Sequence, residues 1–113
     1  MINKKPDVSA ALSAIIDADR VSFHFPETFA KLPCISFYEA NNSPFRNADD
    51  NEYLSEVNIV VDIWAKRSEE TSRLMLAVDT AMRGIGFRRE FSADVPGGSE
   101  VEHKTSRYRY IGG

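Results

Sequence analysis

The chain has 113 residues and a formal net charge of −3, from 14 Lys and Arg against 17 Asp and Glu. With 42% hydrophobic and 27% charged residues, it has the make-up of a folded domain, which excludes a disordered or fibrous chain. The length supports one hydrophobic core, hence a single domain over 1–113, and not two.

Asp7, next to Pro6, is placed to cap a first helix, because a carboxylate accepts hydrogen bonds from the exposed N–H groups of a first turn. Val8, Ala11, Leu12, Ile15 and Ile16 recur at helical spacing and predict one apolar stripe that stops near Ala18. Val21 to Phe25 alternates with period two and predicts a strand closed by Pro26. A connector from Thr28 to Pro33 leads to a second strand, Cys34 to Glu39. The stretch from Asn41 to Asn51 is polar, asparagine-rich and contains Pro44, and predicts a long mobile loop over about 41–51.

The third strand, Glu52 to Ala65, has the strongest pattern. Val57, Ile59, Val61 and Ile63 point one way, while Glu56, Asn58, Asp62 and Trp64 point the other. The first set is core, and the second faces water or a neighbouring subunit. Ser68 opens a second helix with Glu69 and Glu70 in its first turn, where carboxylates suit the helix dipole. Thr71, Leu74, Met75, Val78, Ala81, Met82 and Ile85 form its buried stripe, and Gly84 and Gly86 flank its stop. Phe87 to Phe91 reads as a strand, Pro96-Gly97-Gly98 as a turn, and Glu100 to Ile111 as the last strand. The order α-β-β-β-α-β-β predicts an α+β fold, a mainly antiparallel sheet of about five strands with both helices on one face.

Motifs for chemistry are sparse. No apolar run approaches the roughly 20 residues of a membrane span, and no apolar segment follows Lys4 and Lys5 as a secretory leader would require. Cytoplasmic synthesis fits both points. Cys34 is the single cysteine, so no intrachain disulfide forms; its apolar setting between Pro33 and Ile35 reads as core packing and not as an activated nucleophile. His24 and His103 have no partners at metal-ligand spacing. Asp49, Asp50, Glu52 and Glu56 lack the spacing and bend glycine of a calcium loop. No catalytic, metal or cofactor residue is therefore assigned.

Candidate contact residues are clearer. In the last strand Lys104, Arg107 and Arg109 alternate with Tyr108 and Tyr110, which reads either as an edge offered to a partner or as a charged face shielded against aggregation. Phe45 and Arg46, amid polar residues, either order on a partner or collapse onto their own domain. The contact set is Phe45, Arg46, Glu56, Asn58, Asp62, Arg107, Tyr108 and Arg109. Residues 1–82 carry eight basic and 13 acidic groups, and residues 83–113 six and four. That asymmetry suits head-to-tail contact between copies and falls short of the clustered basic face of a nucleic-acid binder.

Several short motifs follow one another in a distinctive order: P-x-I-x-F (Pro33, Ile35, Phe37), an Asn/Asp-rich stretch, V-x-I-x-V-x-I-W-A-K (Val57 to Lys66), S-x-E-x-x-x-L (Ser68, Glu70, Leu74), G-F (Gly86, Phe87) and H-K-x-x-R-Y (His103, Lys104, Arg107, Tyr108). In this order they resemble the small tail-completion and tail-terminator proteins of long-tailed bacteriophages and prophages, also described as head–tail joining proteins, over about residues 7–110. The resemblance implies an α+β fold, no enzymatic activity and no cofactor. It implies a ring, commonly a hexamer, built on the last ring of the tail tube from subunits that are often monomeric beforehand. The ring stops tube growth and offers a surface to the head connector. Its partners would be further copies of itself, the tail tube protein and the head connector protein, with no membrane and no specific nucleic acid, and its location the virion tail. The family has no short catalytic signature, so no residue inherits a role. A head-completion or connector protein beneath the portal is the alternative, and a small-ligand-binding α+β domain, which would need a deep pocket around a perturbed acid or histidine, is a third.

Overall fold

Helix α1 (Lys5–Ser13) starts two residues before Asp7. Pro6 lacks an N–H and has its φ preset for a first turn, so the helix runs through it and not from it. Asp7 is thus not the cap: it lies inside the first turn and its carboxylate accepts from Lys4 Nζ at 3.0 Å. The helix also ends before Ala18, at Ser13, yet Ile15 and Ile16 still pack against the core from the turn that follows. A 3-10 turn (Ala18–Arg20) then delivers the chain into β1 (Val21–Phe23). β1 is shorter than its alternation predicts because His24 takes a left-handed backbone (φ 72°) while its N–H donates to the Phe37 carbonyl at 2.7 Å.

The computed structural model describes residues 2–26, 28–45, 54–96 and 100–112. Its remaining elements are β2 (Cys34–Phe45), β3 (Leu54–Ala65), α2 (Ser68–Gly84), β4 (Arg88–Val95) and β5 (Glu102–Gly112). The strands form one five-stranded sheet in the order β1-β2-β3-β5-β4. Only β1 and β2 run parallel; the other neighbours are antiparallel. This is the α+β architecture that the element order predicts. Among the described residues no helix is long and apolar enough to cross a membrane.

Two sequence expectations fail here for stated reasons. Asn41 to Phe45 are not loop but the second half of β2, paired with Leu54 to Asn58 after a bulge between Glu39 and Asn41. Their polar composition is tolerated because β1 covers β2 only from Ile35 to Phe37, which leaves this half of β2 on an edge, where asparagine and Pro44 do no harm. The rest of the expected loop, from Arg46 on, lies outside the described residues, as do Gly97 and Gly98 of the expected turn. The second correction concerns β5, which is no edge: it lies between β3 and β4.

Both helices cover one face of the sheet. Val8 and Leu12 of α1 and Leu74, Met75, Val78 and Met82 of α2 meet Ile35, Phe37, Val57, Ile59, Val61, Ile63, Phe87 and Tyr108 in one buried cluster. Helix α2 ends as its glycines predict, in a Schellman motif. The Gly86 N–H donates to Arg83 O and the Phe87 N–H to Met82 O, and Gly86 adopts φ +94°.

The two glycines at this stop give opposite expectations. A Cβ on Gly86 would lie 2.9 Å from the Tyr110 ring on a left-handed backbone, whereas one on Gly84 meets nothing within 4 Å. In urea unfolding, Gly86→Ala is expected to lower stability by about 1–3 kcal/mol, and Gly84→Ala, in the last helical turn, to raise it by about 0.5–1 kcal/mol.

Candidate functional site

Strand alternation sends every second side chain of the sheet away from the helices. Register sets the rows on that face. Tyr38, Val60, Arg107 and Phe91 lie side by side across four strands, and Asn41, Asn58, Arg109 and Arg88 form the next row. No helix among the described residues packs on this face.

A polar network joins the two rows. Asn41 Nδ2 donates to Asn58 Oδ1 at 3.1 Å and to Ser43 Oγ at 3.2 Å. Asn58 Nδ2 and Arg107 Nε both donate to Glu90 Oε1, at 3.0 and 3.2 Å. Glu90 can be reached from two strands because it is the extra residue of the β4 bulge between Arg89 and Phe91. Being acceptor-only, it dictates that the Asn58 nitrogen faces it and the Asn58 oxygen faces Asn41. Arg109 Nη2 donates to Glu56 Oε1 at 2.8 Å; this hydrogen bond, followed by the charge of Glu56, raises the Arg109 pKa and keeps the guanidinium charged.

The far end of the same face is aromatic. The His103 ring stacks on Trp64 with centroids 3.7 Å apart and 13° between planes, and Phe25 and Phe29 approach the indole at 5.1 and 5.0 Å. His103 Nε2 lies 2.7 Å from Asp62 Oδ1, and Trp64 Nε1 donates to Ser36 Oγ at 3.1 Å. No spacing in the sequence joins these residues. The available signal was Trp64, a large aromatic on the polar parity of its strand.

The predicted contact residues therefore separate. Glu56, Asn58, Arg107 and Arg109 come together in or beside the network. Asp62 is on the same face but turned to His103. Tyr108 does not belong with them: it points to the helices and is wholly buried, its hydroxyl 3.4 Å from Asp79 Oδ1 and 3.8 Å from Met75 Sδ. Alternation makes this unavoidable, since neighbours of Arg107 and Arg109 along a strand must face the other way. Burial, then the charge of Asp79, pushes the Tyr108 hydroxyl above the ordinary phenol range. Phe45 is the last residue of β2, and Arg46 lies outside the described residues.

Elsewhere the surface depressions around the described residues are open to solvent, and no three histidine, cysteine or carboxylate side chains among those residues converge. Cys34 is buried, and desolvation raises its thiol pKa against a smaller opposing effect of the Arg20 charge. A thiol so placed is poorly ionised and weakly nucleophilic. The arrangement offers surface recognition by hydrogen bonds, guanidinium groups and exposed apolar side chains. No model of a known protein family matches the chain, and neither does any curated protein.

The network's members should differ in weight. Asn58 is buried while the Arg107–Glu90 pair is about two-fifths exposed on both sides. Asn58→Ala is expected to cost on the order of 1–3 kcal/mol, because it strands polar partners, and Arg107→Gln less than about 1 kcal/mol. Urea unfolding of the two variants checks the order.

Proposed function

We propose that the chain is a structural tail protein of a long-tailed phage, one that assembles as a ring on the end of the tail tube, stops tube growth and presents a surface to the head connector. The observation that carries this reading is the open sheet face. Tyr38 and Ile111, 38% and 39% exposed, and Phe91 stand among Arg107, Arg109 and Glu90 on a broad surface that no described helix covers. Tyrosine and arginine on such a surface are the residue types that anchor protein contacts. The α+β order agrees with what the tail-protein resemblance implies.

Charge supports the same reading. The basic groups of the C-terminal third, Arg83, Arg88, Arg89, Arg107 and Arg109 among them, contrast with the acidic excess of residues 1–82. Within one subunit Arg107 and Arg109 pair with Glu90 and Glu56, and exchange of such pairs between copies would favour a head-to-tail contact, which closes into a ring when the rotation between subunits allows. The role requires no catalysis and no cofactor. The virion tail is the site of action, the tail tube and head connector proteins are the partners, and assembly follows synthesis in the bacterial cytoplasm.

The test is electron microscopy of particles made while this gene is silenced. Tails of uncontrolled length, unattached to heads, are expected. Normal-length tails lying free beside filled or leaking heads would instead make the protein a head-completion component, and intact infectious particles would overturn both roles.

A further inference from the structure

Strand β4 closes one side of the sheet, and among the described residues it pairs only with β5. Its outer side thus presents N–H and C=O groups with no strand to bond. A groove runs beside it against α2, lined by Met75, Leu76, Arg89, Phe91 and Ser92. Leu76, on the helix side of this edge, is 70% exposed and Phe91, on the open side, 51%, so the edge leaves apolar surface in water on both of its sides. Ser92, opposite the buried Ser106, lies on the helix side and beneath this surface. Its hydroxyl is shut off from solvent and has no hydrogen-bond partner, alone in this among the buried side chains of the described residues.

The charges on the strand are laid out in opposite order along its length. Arg88 and Arg89 open it and Asp94 stands near its end. Arg89 and Asp94 point to the helix side together with Ser92, as their partners Tyr108, Lys104 and Ser106 show. Such an edge is complementary to itself when reversed.

We propose that β4 pairs antiparallel with β4 of a second copy of this chain, about a two-fold axis through Ser92, so that two five-stranded sheets become one. In this register the two Ser92 residues lie opposite each other across the axis. Phe91 of each copy lies opposite Ala93, and Asp94 lies opposite the bulge that carries Arg89. Arg89 can turn to this new partner, because its own-chain contact, with Asp79, is a long 3.9 Å. Asp94 is 77% exposed despite its bond to Lys104. Glu90 stays clear of Asp94, since Asn58 and Arg107 hold its carboxylate on the opposite face. The bulge between Arg89 and Phe91 limits regular pairing about this axis to residues 91–93, which makes the pair concentration-dependent and not permanent. This contact goes beyond the tail role and does not rest on it, as two copies suffice.

Sedimentation velocity of the purified chain across a wide concentration range tests the pairing. The expected result is a shift from monomer to dimer as concentration rises. Phe91→Lys, at an exposed position where folding is unaffected, should abolish the shift. Asp94→Arg should weaken it, and adding Arg89→Asp should restore it, because each copy then presents the exchanged charges. Circular dichroism checks that all three variants are folded. A monomer at every concentration, a dimer indifferent to Phe91→Lys, or a folded double variant that fails to recover would each overturn the proposal.

Discussion

The long antiparallel pairing of β3 with β5, from Ser55↔Gly112 to Ala65↔Glu102, is the constraint on which the rest of the structure depends. Because side chains alternate, one register decides both faces together. Val57, Ile59, Val61 and Ile63 go to the helices with Ser106 and Tyr108, and Glu56, Asn58 and Asp62 go to the opposite face with His103, Arg107 and Arg109. A slip by one residue would put valines and isoleucines in water and bury guanidinium groups. Nothing elsewhere in the molecule is large enough to offset that, since burying one such aliphatic side chain is worth about 1.5–3 kcal/mol and an exposed ion pair about 0–1 kcal/mol.

That division explains why the second face is polar without being loose. Asn58 and Asp62, at 3% and 8% exposure, sit in the middle of a sheet and need partners. The partners come from three different strands, β2, β4 and β5. Glu90 reaches Asn58 through a bulge, Asn41 reaches it across the β2 pairing, and His103, clamped by Trp64, reaches Asp62. The core side holds the fold together. The polar side fixes which side chains stand at the surface and in what orientation, and this is the link between the fold and the proposed role in assembly.

Much of this was legible in the sequence where the signal is local. The period-two pattern of β3, the stripe of α2 and the Gly86 stop are each set by neighbouring residues, and each appears where expected. What was not legible depends on partners distant in the chain. Asn41 to Phe45 look like loop by composition, yet the facing half of β3 holds them in a ladder, and strand preference is largely a matter of context. The aromatic cluster unites Phe25, Phe29, Trp64 and His103, which no spacing rule connects. Tyr108 is a different case. The Arg-Tyr-Arg-Tyr alternation already implied that tyrosines and arginines part company, but treating β5 as an edge kept both in one contact set. Of that set, Arg107 and Arg109 with Glu56 and Asn58 come together on the open face, and the tyrosine belongs to the core.

If the open face is what this protein shows to its partners in the particle, its neighbours there should be reachable from that face and not from the helix layer. The direct measurement places a photo-crosslinking amino acid at Ile111, exposed beside Glu56 on the open face, and in a second variant at Arg73, exposed on α2. Both variants are irradiated during phage assembly in the host. Adducts with tail proteins or further copies are expected from position 111 and none from position 73. Adducts with tail proteins from position 73, with position 111 silent, would contradict the role proposed for the open face.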